Sequence, residues 1–116
     1  MRFLLHIIDA QDWSEVGKTY APTSLALEGF IHCSTIDTVL IPAHDRFHGQ
    51  TGLKLLIIDT SNVDVPIRYE DCENEGVKFP HIYGPLLREA VVAVVDFPPH
   101  DDGSFQLPVE IHKHFT

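Results

Sequence analysis

Eight histidines in a chain of 116 residues are the first chemistry this sequence offers, and His32 is the one best placed to use it. It stands in Gly29-Phe30-Ile31-His32-Cys33-Ser34-Thr35, where strand-forming residues follow a glycine and Ser34 or Thr35 can cap a following helix. A neutral imidazole donates from one nitrogen and accepts at the other. It can therefore bond a donor and an acceptor of a ligand at once without carrying a full charge. Seven more residues offer matching chemistry. His6 interrupts an apolar run, and His81 follows a proline in the Phe79-Pro80-His81-Ile82-Tyr83-Gly84-Pro85-Leu86 motif. Glu70 can stabilise a cation or accept a proton. Arg46 and Arg68 each present a forked pair of donors suited to phosphate oxygens. Tyr83 can stack on a base or sugar, and Ser34 joins this ligand-binding set. Five of them also have a plainer reading: His6 as a core histidine satisfied by the backbone, His81 as a turn lock, Tyr83 as packing, and Glu70 with Arg68 as a surface ion pair.

Metal and thiol chemistry are the competing classes. His44 and His48 have the i, i+4 spacing that sets two imidazoles on one helical face, with Asp45 between them. No third ligand is fixed by spacing, so two exposed histidines are the expectation and no resident metal is expected. Cys33 adjoins His32, but neighbours on a strand face opposite ways. If His32 faces a cleft, Cys33 faces the core, which argues against a Cys-His pair. Cys33 and Cys72 are expected as free thiols.

These residues need a scaffold. Residues 2–8 read as a strand buried on both faces, and Asp9 caps a short helix over residues 10–16 with Trp13 and Val16 turned inward. One helical turn over residues 24–28 precedes Gly29 and the His32 strand. Residues 35–48 carry Val39, Leu40, Ala43 and Phe47 at helical spacing, with Pro42 predicting a kink or a split. Residues 53–59 are the clearest strand. Residues 67–70 alternate as an edge strand does, and residues 71–78 read as an acidic, mobile loop. Punctuation by Pro and Gly predicts a structured turn, and no central strand, over residues 79–86. Residues 90–97 read as a buried strand, 101–104 as a turn, 105–107 as an edge strand, and the end holding His112 and His114 as frayed. Strands outnumber helices and the helices come early, which predicts an α+β fold.

Composition bounds the answer. With 44% hydrophobic and 22% charged residues, residues 1–116 form one domain. The formal charge of −9, from seventeen acidic against eight basic residues, opposes a phosphate backbone and predicts no nucleic-acid partner. No apolar run approaches the roughly 20 residues of a membrane span, and no secretion signal is read, so no membrane partner and a cytoplasmic setting are expected.

The Gly29–Thr35 motif, Arg46-Phe47, Gly49, Leu55-Leu56-Ile57-Ile58-Asp59, Arg68-Tyr69-Glu70 and the Phe79–Leu86 motif together closely resemble a small, mostly bacterial family, domain of unknown function nine-five-two. The resemblance covers nearly the whole chain. That family is grouped by remote similarity with the ADP-ribosyltransferase superfamily, which implies two small mixed or antiparallel sheets, short helices and a cleft that holds NAD as substrate. On that resemblance His6 matches a first-strand residue that bonds the ribose beside nicotinamide. His32 matches the second histidine of a two-histidine subset. Glu70 and the His81 to Tyr83 stretch are the candidates for the acidic third position. The implied activity is an NAD- or ADP-ribose-directed transferase or hydrolase passing through an oxocarbenium-like transition state. A non-catalytic module for a nucleotide-like small ligand is the alternative.

Overall fold

The computed structural model describes residues 2–115. In chain order its elements are β1 (Phe3–Asp9), α1 (Ala10–Ser14), β2 (Thr19–Tyr20), α2 (Thr23–Glu28), β3 (Ile31–His32), α3 (Leu40–Arg46), β4 (Leu53–Asp59), β5 (Ile67–Glu70), β6 (Phe79–Ile82), β7 (Leu86–Leu87) and β8 (Val91–Asp96). Short 3-10 turns occupy Thr60–Asn62, Arg88–Ala90 and Val109–His114. The fold is α+β with antiparallel sheets and few helices. Three sheets form, in the orders β1-β4-β8, β2-β7 and β3-β6-β5, where two were expected. A bridge between Leu5 and Ser34, with both backbone bonds made at 2.8 and 2.7 Å, ties the edge of β1 to the chain just beyond β3.

Strand alternation divides the interior into two cores. Leu5 on β1 and Leu55 and Ile57 on β4 point one way, to Val39 and Ala43 around α3 and to Phe97, Phe105 and Ile111. Leu4 and Ile8, with Leu56 and Ile58, point the other way, to Ile31, Cys33, Ile82 and Leu86. The second core thus covers one face of the β3-β6-β5 sheet. Its other face is left to carry polar side chains. No helix among the described residues is long and apolar enough to cross a membrane.

Several expectations change. Residues 79–86 are not a turn: β6 is the middle strand of its sheet and β7 pairs with β2. Pro80 is tolerated there because its carbonyl accepts from Cys33 N–H one residue past the end of β3, where the ladder on that side already stops. Pro42 produces no kink, since α3 begins at Leu40 and a proline in the first turn lacks only a donor that would be unpaired anyway. The 10–16 helix is shorter, ending at Ser14, although Asp9 does cap it by accepting from Gln11 N–H. Strand β8 is an edge strand with Val92 and Val94 outward, so the valine run is half-buried. Residues 105–107 form no strand; Phe105 is instead plugged into the first core. The C-terminal stretch is a 3-10 turn anchored by buried Ile111 and is not frayed.

Candidate functional site

Register builds the site. His32 on β3 pairs with His81 on β6, and His81 pairs with Arg68 on β5, so these three side chains share the face turned away from the second core. Glu70 lies two residues beyond Arg68 on that same face. His81 is buried, and its Nδ1 is 2.9 Å from Glu70 Oε1. The Tyr83 hydroxyl donates to the same oxygen. These bonds, the Tyr83 bond first, hold the Glu70 carboxyl below its ordinary range and push the Tyr83 phenol up. A carboxylate can only accept, so Nδ1 carries the proton and a neutral His81 keeps Nε2 as an acceptor. Phe30 stacks on the His81 ring at 4.0 Å between centroids and 17° between planes, which fixes the ring's attitude. Arg68 stacks over Tyr83 at 5.0 Å, away from the phosphate role expected of it.

A pocket of about 430 Å³ opens beside this cluster. His32, His81, Ser34, Arg46, Glu70 and Cys72 are among its lining residues, and its rim carries further carboxylates, Glu28, Asp45, Asp71, Glu73 and Glu75. Arg46 is the arginine at this rim and already meets Glu73 at 2.8 Å. His32 Nε2 is 3.1 Å from Glu28 Oε1. Tyr83 and Arg68 stand behind Glu70 and do not line the cavity.

His6 is brought to the pocket wall with a different orientation. It shares a strand face with Leu4 and Ile8, so its ring points toward the second core, whereas His32 points away from it. Its Nδ1–H donates to the His32 carbonyl, and its Nε2 accepts from the Tyr20 hydroxyl at 2.8 Å. Burial lowers its pKa from 6.5 to about 4, and burial likewise pushes up the Tyr20 phenol and the Cys33 thiol. His6 is therefore a neutral strut under His32, with both ring nitrogens in use. Cys33 lies in the core as alternation predicted, and both cysteines are free.

The His44 and His48 pair does not form a donor set. His44 Nε2 accepts from Phe105 N–H at 2.9 Å, and the His48 ring lies over Gly103. The donors that do converge are Glu70, Cys72 and His81, whose ligating atoms lie within 4.8 Å of one another. Sequence reading missed Cys72, Phe30 and Glu28 as site residues. The signal available was the alternation that sets Phe30 on the same face as His32, and Cys72 two residues after Glu70.

A family model described as Protein of unknown function (DUF952) matches residues 7–94. The chain belongs to this family. Matched residues 7–94 include His32, Glu70, Cys72, His81 and Tyr83, while His6 lies just outside. Among solved structures, the crystal structure of CC0527 from Caulobacter crescentus is similar at 25% identity and a TM-score of 0.80, covering 97% of this chain and 96% of that one. Its solution NMR structure gives 26% identity and 0.77, covering 98% and 97%. No curated protein sequence matches. DUF952 membership identifies no reaction, so the functional argument rests on the pocket.

Proposed function

We propose that the pocket binds the nicotinamide-ribose end of NAD or a related ADP-ribosyl compound and cleaves or transfers at its glycosidic bond. The observation that carries this reading is the cross-strand pair of His32 and His81, with Glu70 fixing His81 Nδ1 so that Nε2 is left as an acceptor. The two-histidine arrangement drawn from the ADP-ribosyltransferase resemblance is thus assigned to His32 and His81, with His6 beneath them. A volume of about 430 Å³ suits part of a dinucleotide. The carboxylates at the rim favour a pyridinium ring and an oxocarbenium-like transition state, both cationic, and disfavour phosphates inside the pocket. On this reading the phosphates are met by Arg46, which exchanges Glu73 for them and offsets the repulsion of the neighbouring carboxylates.

Incubation with NAD and with nicotinamide riboside, with release of free nicotinamide as the readout, tests the proposal. Release that falls in His32→Ala and His81→Ala supports it. Absence of both turnover and binding of NAD, nicotinamide riboside and ADP-ribose overturns it. The Glu28 bond to His32 Nε2 favours a second reading, binding without turnover, which a ligand-dependent rise in melting temperature with no nicotinamide released would establish.

A further inference from the structure

The loop after β5 brings an exposed thiol, Cys72, to a carboxylate–imidazole pair that sequence spacing did not connect. Its Sγ is 3.9 Å from His81 Nδ1, the same nitrogen that Glu70 Oε1 approaches at 2.9 Å. That convergence discriminates between two chemistries. In a thiol nucleophile relay the thiol and the carboxylate take opposite nitrogens of the imidazole, one activated and the other orienting. Here both sit at one nitrogen, which has a single proton to give, so Cys72 gains no base. A cation in place of that proton satisfies all three at once.

We propose that Glu70, Cys72 and His81 form a zinc site. Bond lengths of about 2.3 Å to sulfur and about 2.0–2.1 Å to nitrogen or oxygen, at tetrahedral angles, put donor atoms about 3.3–3.6 Å apart. The two separations from His81 Nδ1, 2.9 and 3.9 Å, bracket that range, and all three donor atoms lie within 4.8 Å of one another, so side-chain rotation is what would close the site. One thiolate, one imidazole and one carboxylate are a borderline-soft donor set, which selects zinc and its cobalt substitute over magnesium or calcium. On binding, the Cys72 thiol proton leaves to solvent and the imidazole proton passes from Nδ1 to Nε2, with no change of oxidation state. Three protein ligands leave a fourth position for water or a ligand. The outer shell is already in place: Tyr83 O–H holds Glu70, and Phe30 holds the His81 ring. The site does not rest on the nicotinamide reading. It does bear on it, because a bound cation turns His81 Nε2 from an acceptor into a donor toward the pocket.

The test uses the full chain, stripped by chelator and titrated with Co²⁺, and then with Zn²⁺ against a chromophoric chelator. The expected result is one ion per chain, a sulfur-to-cobalt charge-transfer band, and at least about tenfold weaker binding in Cys72→Ser, His81→Ala and Tyr83→Phe. Cys72 is exposed, so its serine variant keeps the fold, which circular dichroism verifies. His32→Ala and the His44→Ala/His48→Ala pair should bind zinc as the parent does. Binding that Cys72→Ser leaves unchanged, binding lost in the His44/His48 pair, or no saturable binding overturns the site. Because His32→Ala separates the two, loss of nicotinamide release with zinc binding intact bears only on the pocket ligand.

Discussion

His32 and His81 face each other directly across β3 and β6, with ring centroids 5.5 Å apart and planes 77° from parallel. On the proposed reading, two imidazoles this close and held by different partners would act on one ligand. Removing either should cost about one hydrogen bond to that ligand, about 1 kcal/mol or roughly fivefold to tenfold in affinity. The double variant should lose less than the sum, because the residues share a ligand group. Calorimetric titration of ADP-ribose or nicotinamide riboside into His32→Ala, His81→Ala and the double variant measures this coupling. Strictly additive losses would place the two rings on separate ligand groups.

His6 makes stability depend on pH. Its folded pKa of about 4 lies below the ordinary 6.5, so the unfolded chain takes up a proton that the folded chain refuses between those values. The contribution is complete above pH 6.5 and is lost as pH falls toward 4, by about 3 kcal/mol in all. His6→Gln retains a donor and an acceptor but no titration. Urea midpoints across that interval should therefore fall less steeply for the variant than for the parent. Tyr20→Phe, which leaves His6 Nε2 without its donor, should cost about 1–3 kcal/mol at neutral pH.

Asp59 acts at lower pH. It ends β4, accepts from Ser61 N–H and Oγ, and meets Arg2 at 3.0 Å. The Arg2 bond first, and Ser61 next, lower its pKa from 3.8 to about 2. Its contribution is present above pH 3.8 and disappears as pH falls through 2, a window below that of His6. Asp59→Asn should flatten the acid limb of the stability curve there and leave the His6 interval unchanged, as thermal unfolding at stepped pH would record.

Local chemistry made much of this fold readable. Residues 53–59 became β4 because an apolar run buried on both faces has no better place than the middle of a sheet, and Gly29 ends α2 at φ 87° as a glycine after a helical turn does. His32, Glu70, His81 and Ser34 were all named from sequence and all reach one pocket. What stayed hidden depends on pairing. Proline in the Phe79–Ile82 strand argues against a central position unless its neighbour ends at that residue, and the end of β3 is a tertiary fact. His6 looked like a partner of His32 in a cleft because both are strand histidines. Both do border the pocket, but the His6 ring is turned to the second core with both nitrogens bonded. Cys72 carried no periodic signal, and its approach to His81 is set by how the 71–77 loop returns to β6.

The turn after His81 offers a last test that links backbone to site. A Cβ built on Gly84 would lie 2.6 Å from Val65 Cγ1 and 3.0 Å from Val65 Cβ, closer than side-chain atoms come. The two chains cannot simply part, because Tyr83 N–H donates to Pro66 C=O at 2.8 Å between them, and Val65 packs on the second core. Gly84→Ala should therefore destabilise by about 1–3 kcal/mol, the cost of overpacking. The residue displaced with it is Tyr83, whose hydroxyl holds Glu70, so the variant should also weaken whatever the pocket binds. Trimming Val65→Ala removes the colliding methyl groups. If contact is the cause, the double variant recovers part of the loss and shows a favourable coupling in a double-mutant cycle; if the losses add, the glycine is required by backbone conformation alone.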